Sequence, residues 1–400
     1  MVLTFLILNI FKEVSYFPII MKAKFLFLSS VSVLSALSAY AADTFFFLAP
    51  SSGSNVNDMS LWKQLSTYKG GDTFNFYIFP EGADDKIPGD VPDSGKWAAG
   101  AISSDQSKTV TADSDVIINR YCLGELQPDG SVTFGSVILG DTQSVVFTDS
   151  FTARNMQIRI NNRVDMNFAP SSEAINLNLS GLSIYQVAHA YIKKTAAGEV
   201  NINVDGDFSF GSPTAQVGCN LDVGAYDGFI DSVRANNFKL PNALDLTITF
   251  YAYRVDFAST DIRNTYNNAE KGEGNTRLIL NVGRLDPSSS EAVYSLGTAY
   301  KNADDAITVD FGMLDPENLS AGEYKIVSVD EWSEGFAESG LSDFDLRTDV
   351  LDTYGIEYGI GWDGQTLTLA VVPEPAALAT ALGLLALSAA AWRGRRGNFK

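Results

Sequence analysis

The sequence predicts an all-β body. Three observations carry that expectation: short runs in which apolar and polar residues alternate, turn-forming dipeptides between the runs, and little amphipathic helical periodicity. Alternation with period two marks a strand with one face buried. It appears at Met156/Ile158/Ile160, Val164/Met166/Phe168, Ile175/Leu177/Leu179 and Val200/Ile202/Val204, and again at Leu244/Leu246/Ile248/Phe250, Ile307/Val309/Phe311 and Leu367/Leu369/Val371. Asn, Asp, Thr and Arg occupy the intervening positions. Pro128-Asp129-Gly130, Asp205-Gly206, Asp227-Gly228 and Asp363-Gly364 fall between runs and read as turns. The one helical candidate in the body is a weak one, near Met59–Tyr68.

Between residues 113 and 250 the strands follow one another at roughly 8–16 residues, in segments rich in Asn, Ser and Gly. That spacing favours a parallel β-helix or related solenoid, and one or two antiparallel β-sandwiches are the alternative. No fixed repeat emerges. The two runs within 156–168, parted by Asn161-Asn162-Arg163, fit either a solenoid corner or a hairpin. Residues 42–321 are expected to form the β-rich body and 322–372 a β-hairpin closing module. In the latter, Gly322–Val327 starts a strand, and Tyr358–Val371 reads as strand, Asp-Gly turn, strand. The ending Gly322-Glu323-Tyr324, followed by Trp362-Asp363-Gly364-Gln365-Thr366-Leu367-Thr368-Leu369, loosely resembles the final coils of autotransporter-type bacterial passengers. No membrane barrel of that kind follows it.

With 46% hydrophobic and 12% aromatic residues, the 400-residue chain has the composition of a folded protein. It carries 48 acidic and 28 basic residues, a net charge of −20. Between residues 43 and 372 the imbalance is sharper, 46 acidic against 21 basic, or −25. Such a field repels phosphate backbones and argues against nucleic acid as a partner. A single His and two Cys exclude a His/Cys zinc site, and no cofactor or metal is expected.

Both ends read as addresses. From Met21 a basic start (Lys22, Lys24) leads into an apolar core and then Ala39-Tyr40-Ala41, the pattern of a secretory signal peptide over 21–41 with Ala39 and Ala41 at the cleavage site. Residues 1–20 are expected to be an extension from a mis-called start. At the other end, Pro373-Glu374-Pro375 interrupts regular structure. It precedes the uncharged run Ala376–Trp392, then Arg393, Arg395 and Arg396. This run has the length of a single transmembrane helix. The positive-inside rule leaves the Arg cluster in the cytoplasm and the body outside.

These tail residues resemble the sorting tail of PEP-CTERM proteins, over residues 373–396. The helix here is unusually Ala-rich, and four residues follow the Arg cluster. The resemblance implies an exosortase-type enzyme as partner, acting near Pro373, Glu374 and Pro375, after Sec export machinery and signal peptidase. It implies export across the inner membrane, transient anchoring by the C-terminal helix, and release to the cell surface or extracellular space. Through the family's link to biofilm matrix, it also implies association with exopolysaccharide.

No catalytic constellation stands out in the body. His189, in Val-Ala-His-Ala-Tyr, has no nucleophile elbow near it and is expected to be structural. Cys122 and Cys219 permit one disulfide or two buried free thiols. Glycan cleavage needs two carboxylates across a sugar. The acidic pairs Asp84/Asp85, Asp113/Asp115 and Asp304/Asp305 sit in turn-like contexts, so solvated loops are expected. Asn203-Val204-Asp205-Gly206-Asp207 offers alternate oxygens, but turn chemistry accounts for it more simply than calcium. Tyr251-Ala252-Tyr253 places two rings on one strand face, a cross-strand packing pair or a sugar platform. The expectation is an exported, tail-sorted surface or matrix protein of structural or adhesive role, not an enzyme, with a glycan-binding or glycan-cleaving β-helix protein as the alternative.

Overall fold

The alternating runs pair into two parallel ladders that the chain visits in turn. The computed structural model describes residues 43–69, 76–80, 98–129, 132–135, 142–159, 163–171, 173–185, 189–211, 219–225, 228–240, 245–264, 267–268, 272–302, 305–332 and 340–372. Within them the fold is all-β, with one short α-helix, Asp349–Thr353. The first ladder begins with Thr44–Phe47, Asp115–Asn119, Phe151–Arg159, Ile175–Tyr185, Val200–Gly211, Ser232–Lys239 and Val255–Asp261. It ends in split rungs, Tyr294–Ser295 with Thr298–Tyr300, then Gly322–Ser328 with Glu331–Trp332. The second ladder has nine strands: Ser54–Asn55, Thr142–Phe147, Arg163–Phe168, His189–Lys194, Cys219–Val223, Asp245–Tyr251, Asn275–Asn281, Ala306–Asp310 and Phe344–Arg347.

Pleating sends every second side chain inward, and the inward residues stack in register from strand to strand. In the first ladder Phe151, Leu177, Ile202, Val233, Val255, Tyr294 and Val327 form one buried column. In the second, Val164, Ala190, Leu221, Ile248, Leu278, Ile307 and Phe344 form another. Aromatic neighbours stack along the same direction, as Phe147 and Phe168 do at 4.6 Å. Outward residues stack as well: Asn201 Nδ2 donates to Asn176 Oδ1 (3.1 Å), and Asn203 Nδ2 to Asn178 Oδ1 (3.0 Å).

Register partners in successive first-ladder strands lie 26, 25, 31, 22, 39 and 33 residues apart along that column. Such unequal coils explain why no repeat is visible in the sequence. The split of the Tyr294–Tyr300 rung has a local cause. At Gly297 the backbone turns to φ 58°, and a Cβ there would lie 2.1 Å from the carbonyl oxygen of Ala258, so the strand halts between Ser295 and Thr298.

The 156–168 runs belong to different ladders and are not a hairpin. Asp205-Gly206 is not a turn. Val200–Gly211 runs straight through it, absorbing the extra residue as a bulge between Val204 and Asp207, because Phe208 and Phe210 add further buried positions beyond it. The helical candidate at Met59–Tyr68 is also corrected. Asp58 caps only a three-residue 3-10 turn, Met59–Leu61, and Trp62–Lys69 then pairs antiparallel with Thr44–Phe47. Trp62, buried with its Nε1 donating to the Val56 carbonyl at 2.8 Å, commits that segment to the sheet.

At the C-terminal side, Tyr358–Trp362 and Thr366–Val371 form the expected antiparallel hairpin. Gly364 takes φ 103°, and Asp363 Oδ1 accepts the Gln365 and Thr366 amides at 2.9 and 2.7 Å. Thr366–Val371 also pairs antiparallel with Gly322–Ser328, covering an edge of the first ladder.

Replacing inward Phe168 with Ala should cost about 3–5 kcal/mol in denaturant unfolding. Asn167→Ala, which removes only an outward hydrogen bond to Ser144 at 2.6 Å, should cost about 1 kcal/mol. Equal losses would contradict this assignment of inner and outer faces.

Candidate functional site

Two places on the body bring functional groups together: the outer face of the second ladder, and a groove where that ladder hands the chain to the first. On the outer face Asp165, Tyr191 and Asp222 stand side by side in three successive strands. Their sequence neighbours Val164, Met166, Ala190, Ile192, Leu221 and Val223 are buried, which forces the three outward. Strand spacing sets the two carboxylate-bearing Cα atoms about 10 Å apart with the phenol between them.

Arg163 grips Asp165 with two parallel bonds, Nε to Oδ1 and Nη2 to Oδ2, both 2.8 Å, and Lys193 Nζ adds a third at 3.1 Å. The same cations lie over the Tyr191 ring, at 4.5 Å for Arg163 and 4.7 Å for Lys193. Burial works to raise the Asp165 pKa, but the bonds from Arg163 and Lys193 outweigh it and hold the group below the usual carboxylate value. Asp222 goes the other way. Burial raises its pKa against the opposing bonds from Thr249 and Asn220. Asn220 Nδ2 donates to Asp222 Oδ2 at 3.3 Å, and its Oδ1 meets His189 Nδ1.

Two carboxylates of unequal proton affinity flanking a ring is the arrangement that sugar chemistry uses. Here, however, the Asp165 oxygens are bonded to cations and the Tyr191 ring carries two of them. The set is closed on itself and acts to hold three rungs together. Sequence reading missed it, because Asp165 and Asp222 are 57 positions apart and only the coil lengths bring them together.

The groove is open. Tyr253 follows the strand Asp245–Tyr251 and is 38% exposed; one ring face stacks on buried Phe229 at 5.0 Å. Three cavities, of about 310, 210 and 260 Å³, share lining residues in sequence, the first two beside this ring. Tyr253 and Arg284 border the first two; Arg254, Glu291 and Lys325 border the last two. Arg254 pairs with Glu291, and Lys325 Nζ donates to the Ser290 carbonyl at 2.9 Å. Asp286 accepts the hydroxyl and amide of Ser288 at 2.6 and 2.8 Å, which lowers its pKa. Of the Tyr251/Tyr253 pair, Tyr251 packs edge-on against Phe229 and is half-buried, so Tyr253 alone is left as a platform.

The remaining sequence candidates scatter. Cys122 sits among Tyr77, Phe79, Ala101 and Val132, whereas Cys219 lies in the main core; both are buried, and no disulfide joins them. Burial raises both thiol pKa values. Asp305 is no solvated loop residue. It is 3% exposed, and its carboxylate accepts the Thr276 and Asn302 amides at 2.9 and 2.8 Å. Asp115 is tied to Arg154 and Asn155, while Asp113 is exposed. Asp207, from the segment weighed for calcium, is bonded to Lys239 and Asn237, each at 2.8 Å.

Among the described residues no three His, Cys, Asp or Glu side chains gather as a metal site, and no helix is long and apolar enough to cross a membrane. Asp84, Asp85, Asp304, the signal segment with Ala39 and Ala41, and the tail with Pro373, Glu374, Pro375, Arg393, Arg395 and Arg396 lie outside the described residues. No protein-family model matches the chain, and neither a curated protein nor a solved structure matches it.

The two carboxylates should respond oppositely to pH. The lowered Asp165 stabilises the fold above the ordinary carboxylate pKa, and this is lost as pH falls through its folded value. The raised Asp222 costs stability when ionised, and that cost is relieved as pH falls through its folded value. Asp165→Asn should therefore lose about 1–3 kcal/mol at neutral pH, shrinking in acid. Asp222→Asn should be neutral or stabilising at neutral pH. Unfolding curves across pH would reveal the reverse order if the assignment is wrong.

For the cysteines, alkylation without reductant should label both thiols only after denaturation. Mass spectrometry finding neither labelled in the denatured chain would indicate a bridge.

Proposed function

We propose that the chain is an exported, tail-sorted protein of the cell surface or extracellular matrix, whose body is a parallel β-helix serving as a structural and adhesive scaffold associated with exopolysaccharide. The observation that carries the structural part is the repeated parallel pairing of strand on strand in both ladders. A backbone bonded on both sides in rung after rung is rigid without metal or cofactor, and it presents broad polar faces to water. The excess of acid suits solubility outside the cell.

Export and sorting rest on the terminal segments: the signal pattern ending at Ala41, and Pro373-Glu374-Pro375 with its apolar run and Arg cluster. In this reading an exosortase-type enzyme acts on the tail after Sec export and signal-peptide removal, and the body ends outside the inner membrane. The second reading, a glycan-binding protein, draws support from the exposed Tyr253 ring in an extended groove.

Replacing Pro373, Glu374 and Pro375 together by Ala in the native host should abolish C-terminal processing and leave the chain in the membrane fraction. The mass of the mature C-terminus is the measurement. Identical masses for wild type and variant would refute recognition of this tail.

A further inference from the structure

Deepening the polysaccharide association above, and resting on it, we propose that the groove past Tyr253 binds a neutral polysaccharide chain, with the Tyr253 ring stacked on a sugar face and Arg284 donating to its hydroxyls. The geometry that carries this is continuity. Three corners of the coil contribute in turn: Tyr253 and Arg254 from the first, Arg284 to Glu291 from the second, and Asp315 with Asn318 from the third. Adjoining cavities that share walls suit a linear polymer better than one compact molecule.

The ring has the properties a sugar platform needs. Phe229 fixes it from behind at 5.0 Å with an interplanar angle of 21°, and its exposure leaves area for a ligand. Pyranose rings present C–H faces that cover apolar surface, and hydroxyls around the rim that pair with guanidinium and carboxylate groups.

Neutrality follows from charge. Arg254, Arg284 and Lys325 meet Asp256, Asp286, Glu291 and Asp315 along the cavities, a near balance inside a body of net charge −25. A uronate chain would face four carboxylates and the surrounding negative field. A neutral chain meets donors and acceptors of both kinds without that opposition.

The test is affinity electrophoresis of the full chain through gels holding soluble glucan, mannan or galactan, with alginate as the acidic counterpart. Wild type should be retarded by at least one neutral polymer, equally at low and high salt, and not by alginate. Tyr253→Ala should weaken retardation about tenfold or more, Tyr253→Phe should retain it, and Arg284→Ala should weaken it with thermal unfolding unchanged. Undiminished binding by Tyr253→Ala and Arg284→Ala would overturn the site while leaving polysaccharide association standing. Retardation by alginate alone would overturn the neutral ligand. No retardation of wild type by any polymer would overturn both.

Discussion

Register between inward side chains is the constraint on which this fold rests. Each rung must place its apolar residues over those of the rung before, because a slip of one residue would export the whole inward set and bury Asn or Asp instead. The column from Phe151 to Val327 holds through coils of unequal length, and through bulges shared between Ile175–Tyr185, Val200–Gly211 and Ser232–Lys239. Tyr294 shows how demanding the column is. It is fully buried, and its hydroxyl donates to the carbonyls of Asn281 (2.5 Å) and Ala252 (3.2 Å), reaching from the first ladder to the end of the second. Burial raises its pKa far above the ordinary phenol value, so it stays a neutral donor.

The outer faces follow from the same pleat. A body with more than two acids per base can hold its outward carboxylates only if the scarce cations are well placed. Arg154 meets Asp115, Lys194 meets Asp231, Lys239 meets Asp207 and Arg347 meets Asp310, each linking chain segments 30 or more residues apart. The exposed one among them, Lys239 with Asp207, adds little stability. The Arg163–Asp165–Lys193 set differs because Asp165 is mostly covered and its two cations also sit on Tyr191. The face is therefore laced from rung to rung by side chains that are also its surface.

How much of this the sequence disclosed depended on range. Strand alternation and the Asp363-Gly364 hairpin are local, and they read correctly. The 205–207 segment misled because an Asp-Gly pair has the chemistry of a turn, and only neighbouring strands on both sides reveal a bulge. Asp305 misled similarly. Adjacent acids usually mean solvent, yet two backbone amides of neighbouring segments hold it inside. Tyr253 was visible as an aromatic beside Tyr251, but the partners that make a groove of it were not. Arg284 and Asp315 lie one and two coils further on, and the unequal coil lengths conceal that proximity.

Unequal coils also explain where a groove can form. Along a ladder, strands sit at one spacing and side chains mesh, leaving flat faces with paired groups. At the corners the constraint lapses. The coil from Val255 to Tyr294 is 39 residues and the next 33, against 22 for the one before. Part of that excess runs through 282–293 and 311–321, where short Asp-capped turns at Asp286 and Asp315 hold it. The surplus rises beside the shorter corner at Tyr253 and gives the groove its walls, while the ladders beneath keep its floor rigid. A scaffold of this kind gains a binding surface by lengthening a corner, with the buried columns left unchanged.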